Sequence, residues 1–132
     1  YAVCEAALAT LVDRVRPPFD VSVPALAAAL AAVDDDAWVK KCSAENAAGL
    51  AYLRRELTAL GLPCVEGEAN FILVKFGPKS KAIFEELQKK GYIIRPVANY
   101  GLPEYLRISV GTATQNAGLV AAIAGIAGTS SR

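Results

Sequence analysis

The chain has 132 residues, a net charge of +1 and no lysine- or arginine-rich run, which argues against nucleic acid or an anionic membrane surface as a partner. It holds no histidine, which removes Ser-His-Asp and Cys-His nucleophile arrangements and the commonest metal ligand, and no apolar run approaches the roughly 18 residues of a membrane-spanning helix. Cys4, Cys42 and Cys64 are odd in number and far apart, which reads as reduced, buried or incidental thiols of a cytoplasmic-type protein.

Tyr1 to Cys4 reads as the end of a buried strand, opening in mid-pattern and without a methionine, as a piece of a longer chain would. The hydrophobic fraction of 54% points the same way, to apolar surface covered by a partner or by further chain. From Glu5 to Val15, Leu8, Leu11, Val12 and Val15 recur at the spacing of an amphipathic helix. Arg16-Pro17-Pro18-Phe19-Asp20 breaks it, since proline cannot continue a helix and restrains the residue before it. Ser22 caps the next helix, with Pro24 in its first turn. The run Ala25 to Val33 is so apolar that it is expected to be buried on most sides. Asp34-Asp35-Asp36 marks the start of a long helix, with acids at the positive end of its dipole, and not a cation site, which would need further oxygen ligands. Leu50, Leu53, Leu57 and Leu60 form its apolar stripe; Gly61 and Pro63 stop it.

Beyond Leu62 the pattern changes. Asn70 to Phe76 reads as a buried strand, and Gly77-Pro78 opens a helix with Ile83, Phe84 and Leu87 on its inner face and Lys89, Lys90 and Gly91 at its end. Tyr92 to Arg95 and Tyr105 to Val110 read as two further strands, and Thr112 to Gln115 as the capping box of a last helix to about Gly125. The order is β-α-β-β-α, an open sheet with helices on one face. In the last strand Leu106, Ile108 and Val110 point one way and Tyr105, Arg107 and Ser109 the other. Two guanidinium groups, Arg95 and Arg107, held on neighbouring strands, suit a carboxylate or a phosphate. The plainer reading of the same pattern is the solvated outer face of a sheet.

Asn70-Phe71, Gly91-Tyr92-Ile93-Ile94-Arg95-Pro96, Tyr100-Gly101-Leu102-Pro103 and Leu106-Arg107-Ile108-Ser109-Val110-Gly111-Thr112 stand in an order and spacing that resemble the fold-type-I, pyridoxal-phosphate-dependent aminotransferases. Within that group they are most similar to the histidinol-phosphate aminotransferases. Arg16 to Ser22 resembles a turn of the same enzymes, with Asp20 where asparagine is usual. The resemblance covers Tyr1 to about Gly125. It implies an α/β enzyme of which this chain is the C-terminal part: residues 1–33 from the large cofactor-binding domain, 34–61 a connecting helix, 62–127 the small α+β domain and 128–132 a frayed tail.

The resemblance further implies that Arg107 grips the substrate anion, with Arg95 assisting and Asn70 orienting an arginine or the site backbone. For histidinol phosphate that anion is the phosphate ester; 2-oxoglutarate would accept the amino group. Tyr1 would pack beside the cofactor motif, and Tyr100 and Tyr105 would cover a sheet edge. The Schiff-base lysine would precede Tyr1, and none of the lysines here matches its motif, so the chain alone is expected to be inactive and to hold no main ligand of pyridoxal phosphate. The intact enzyme would be a cytoplasmic homodimer. Three other readings stay open: an aromatic-amino-acid aminotransferase, a threonine-phosphate decarboxylase, and a non-catalytic module that binds a small anion.

Overall fold

The computed structural model describes residues 3–17 and 19–129. Expectations for Tyr1, Ala2, Pro18 and residues 130–132 lie outside the described residues. The chain divides into two units, residues 1–38 and 39–132.

In the first unit, α1 (Ala6–Val15) ends where expected: Arg16 takes an extended backbone before Pro17, and its Nε donates to Asp20 Oδ2 at 2.5 Å. Helix α2 (Val23–Val33) starts at Ser22, whose Oγ accepts from the Ala25 N–H at 3.4 Å. Two expectations fail here. Val3 and Cys4 form no strand and are exposed, because no described strand lies beside them to complete a ladder. Helix α2 buries none of its residues, nor does α1, although Leu8, Leu11, Leu26 and Leu30 keep the spacing of a covered face. Apolar periodicity records what a helix is suited to bury, and none of the described residues of this unit covers those faces.

Helix α3 (Asp36–Ala59) begins with Asp35 Oδ1 accepting from the Trp38 N–H at 2.9 Å, which accounts for the acidic run as a helix start. Farther along it, Leu50, Leu53 and Leu57 are buried, whereas Leu60, at the helix end, stays 37% exposed. Gly61 adopts φ +75° and turns the chain into the sheet.

Among the described residues that sheet has four antiparallel strands. In chain order they are β1 (Cys64–Val65), β2 (Phe71–Lys75), β3 (Arg95–Pro96) and β4 (Tyr105–Ser109); in space the order is β1-β2-β4-β3. A 3-10 turn, Gly77–Lys79, leads into α4 (Ser80–Lys89), and α5 (Ala113–Thr129) closes the fold. Ile72 and Val74 of β2 and Leu106 and Ile108 of β4 point to one face. There they meet Leu50, Leu53 and Leu57 of α3, Leu87 of α4, and Leu119 and Ile123 of α5. The helices therefore cover one face, and the other carries Phe71, Leu73 and Lys75 beside Tyr105, Arg107 and Ser109.

The details depart from the sequence pattern in four places. Strand β1 was not expected; two residues are too few to show an alternation. The strand expected over Tyr92–Arg95 is displaced to Arg95–Pro96, because Tyr92 and Ile94 pack on the core from an irregular segment after the Gly91 turn. The turn at Gly77 precedes α4 and is not its first turn. Helix α5 runs on to Thr129, past Gly125, which alone does not stop a helix.

Candidate functional site

The register of the sheet brings the two arginines together. Arg107 on the central strand β4 lies directly opposite Arg95 on the edge strand β3, on the face without helices. Directly opposed residues of an antiparallel pair have side chains about 5 Å apart at the β-carbon, and like charges so placed repel. Neither guanidinium is relieved by a carboxylate among the described residues: no ion pair involves either. Arg54 makes the contrast, since its Nη1 stands 3.9 Å from Glu66 Oε1. Two opposed, unneutralised guanidinium groups form a site that an oxyanion would stabilise.

The two differ in how they are held. Arg95 is exposed; its Nη2 donates to Tyr100 Oη at 3.4 Å, and its guanidinium carbon lies 6.0 Å from the Tyr100 ring centre. Tyr100 therefore supports Arg95 rather than merely covering a sheet edge, and the turn that carries it, Ala98–Tyr100, closes on Gly101 at φ +78°. Arg107 is half-buried. Its Nε is shut off from solvent without a hydrogen-bond partner, and its guanidinium carbon lies 4.9 Å from the centre of the Phe71 ring. Tyr105 is half-buried two residues before Arg107, on the same face.

Asn70 is not with the arginines. Its carbonyl accepts from the Val110 N–H at 2.9 Å, and the residue lines a separate open cleft of about 800 Å³ between the middle of α3 and the start of α5, with Asn46, Gly49, Tyr52, Thr112 and Asn116. Gly49 leaves room there: a β-carbon on it would collide with the Val110 side chain.

The turn that follows β4 is fixed by side chains. The Gln115 Oε1 accepts from the Thr112 N–H at 2.9 Å and the Thr112 Oγ1 from the Gln115 N–H at 3.3 Å, the reciprocal capping box expected there. Asn116, buried to 3% exposure, accepts from the Gly111 N–H at 2.9 Å and donates to the Gly111 carbonyl at 3.0 Å. Sequence reasoning passed over Asn116; a polar residue at an inward helical position was its only signal. Asn116→Ala is expected to cost about 1–2 kcal/mol, because it leaves both Gly111 groups without their protein partner. Amide exchange over 109–112 checks this, and unchanged protection would refute it.

The cysteines differ in burial. Burial pushes the Cys64 thiol above its ordinary range, against the opposing pull of Thr58 and Arg54, while Cys42 is exposed. A raised value means less thiolate at neutral pH. Alkylation of Cys64 is expected to lag that of Cys42 at pH 7 and to gain more on raising the pH, which mass spectrometry of the labelled peptides would read. Equal rates at pH 7 would contradict it. No group of three or more potential metal ligands occurs among the described residues, and no helix there is long and apolar enough to cross a membrane.

The chain as a whole is similar to known proteins. The family described as aminotransferase class I and II matches residues 1–123. A curated relative, histidinol-phosphate aminotransferase 1 of Thiobacillus denitrificans, is 50% identical over 89% of this chain and 30% of its own length. Histidinol-phosphate aminotransferase 2 of Ralstonia nicotianae is 40% identical over 93% of this chain and 34% of its own. The crystal structure of histidinol-phosphate aminotransferase from Sinorhizobium meliloti in complex with pyridoxal-5'-phosphate superposes with a TM-score of 0.78 at 27% identity, covering 95% of this chain and 35% of that one. The chain thus spans about a third of the length of the curated relatives it matches.

Proposed function

The chain belongs to the class I and II aminotransferases, and from that premise we propose that it is the substrate-clamping, C-terminal portion of a pyridoxal-phosphate-dependent enzyme that moves the amino group of histidinol phosphate to 2-oxoglutarate. Residues 1–33 would belong to the large domain, 34–61 to the connecting helix and 62–127 to the small domain, in a homodimer of the full-length protein working in the cytoplasm. The observation that carries this reading is the opposed pair Arg95 and Arg107, which no carboxylate among the described residues neutralises. A phosphate ester brings two negative charges and several acceptor oxygens, which two guanidinium groups match better than one.

Pyridoxal phosphate, when bound, supplies an electron sink for the carbon that loses its proton. The residues of this chain do not fit its attachment. Lys75 is committed to Glu104, 3.1 Å from Oε2, and the other six lysines are exposed. The work of this chain is therefore binding and orientation. Arg107 would fix the anionic end of the substrate from a central strand, where pairing on both sides allows little drift. Arg95, at the edge and more exposed, would close on the same anion. A substrate held at one end this way keeps its reacting carbon in a fixed direction, the positional part of catalysis. Asn70 would act on the backbone of the site through its bond to Val110 and not through the anion.

The test is turnover by the full-length protein with histidinol phosphate and 2-oxoglutarate, followed as glutamate formed. Preferred use of phenylalanine or tyrosine would move the assignment to an aromatic-specific enzyme, and release of carbon dioxide without use of an oxo acid would move it to a decarboxylase.

A further inference from the structure

Phe71 lies diagonally across from Arg107: it pairs with Ser109, two residues along β4, while Leu73 pairs with Arg107 itself. Diagonal neighbours on one face of an antiparallel sheet are within reach of an aromatic ring. The ring meets the guanidinium at 4.9 Å, and both side chains are half-buried. A ring against the flat face of a guanidinium attracts the cation through its quadrupole and consumes none of the N–H donors, which all lie in the guanidinium plane. The Nε of Arg107 is already sealed without a partner, so the two terminal nitrogens are left to take an anion.

We infer that Phe71 is a positioning residue for Arg107: its ring fixes the plane of the guanidinium and turns the terminal amino groups toward the ligand while leaving them unengaged. This rests on the reading of Arg107 as the anion-binding residue. A carboxylate could orient the same guanidinium only by occupying its donors and cancelling its charge, and a hydrogen-bonding partner would still occupy donors. An aromatic ring is the neighbour that orients it and leaves it ready to bind.

The experiment is a double-mutant cycle in the full-length protein. Phe71→Leu is expected to lower kcat/KM for the amino substrate by about 3- to 30-fold, mainly through KM, and Phe71→Tyr to stay near wild type. In the Arg107→Ala background, Phe71→Leu should cost nothing more. Fluorinated phenylalanines at position 71 keep the shape of the ring and drain its negative face, so kcat/KM should fall stepwise with fluorine number even if the leucine variant folds poorly. A loss of equal size in both backgrounds, or a flat fluorine series, would overturn the positioning role and mark Phe71 as packing alone. If Arg107→Ala lowers kcat/KM and no Phe71 variant does, only this inference falls. If Arg107→Ala leaves the kinetics unchanged, the anion-binding reading falls and takes this one with it.

Discussion

Arg107→Ala in the full-length protein is expected to lower kcat/KM for the phosphate-bearing amino substrate by about 10²- to 10³-fold, equivalent to about 3–4 kcal/mol of binding lost from the transition state. The magnitude follows from the setting. The side chain is half-buried on a central strand, its Nε is dry, and no carboxylate among the described residues pairs with it. A substrate anion arriving there exchanges water for a fixed fork of donors, and removing the fork leaves the anion only Arg95. Arg107→Lys keeps the charge but replaces the planar fork by a point charge, and should recover less than about a tenth of the lost efficiency. Steady-state kinetics on the purified variants read both numbers. Near-native efficiency of the lysine variant would show that charge alone suffices and that the strand-held geometry has no part in recognition. Arg95→Ala should cost less, since Arg95 is exposed and bound by one weak contact to Tyr100.

The second large effect concerns the platform. Leu53 is fully buried at 0% exposure, where α3 meets the sheet beneath Ile72, Val74, Leu106 and Ile108. Leu53→Ala removes its apolar contacts and leaves a void that close-packed neighbours fill only in part, at a cost of about 3–4 kcal/mol. The amides of β2 and β4 should then exchange about 10²- to 10³-fold faster, because opening of that core exposes both strands together. Leu60→Ala, just past the end of α3, should change little, since Leu60 is already 37% exposed. Protection in β4 that survives Leu53→Ala would mean that the strand carrying Arg107 is held by something other than α3. The guanidinium of Arg107 is only as well placed as the strand that bears it.

Much of this was legible from the residues. The alternation of Leu106, Ile108 and Val110 with Tyr105, Arg107 and Ser109 is local, and a strand with one buried face has only one way to satisfy it. Helix starts at Ser22, Asp34 to Asp36 and Thr112 were equally clear, because a cap is made by residues two or three positions away. The family resemblance added the expectation of an anion at Arg107, which composition and spacing alone could not separate from an ordinary solvated face.

Other features depend on residues distant in the chain. Strand β1 exists because Cys64 and Val65 find Val74 and Leu73. Strand β3 begins at Arg95 because that residue finds Arg107, and the core takes Tyr92 and Ile94 from an irregular segment. The apolar stripe of α1 is legible as a face, whereas α2, read as buried on most sides, buries none of its residues, since apolar character specifies what should be covered and not what covers it. Sequence determined which residues could face an anion, because side-chain direction along a strand is fixed by the backbone itself. Only the tertiary structure set Arg95 opposite Arg107, laid Phe71 against it and put Asn70 at a separate cleft, because strand register is decided by partners that sequence distance does not reveal.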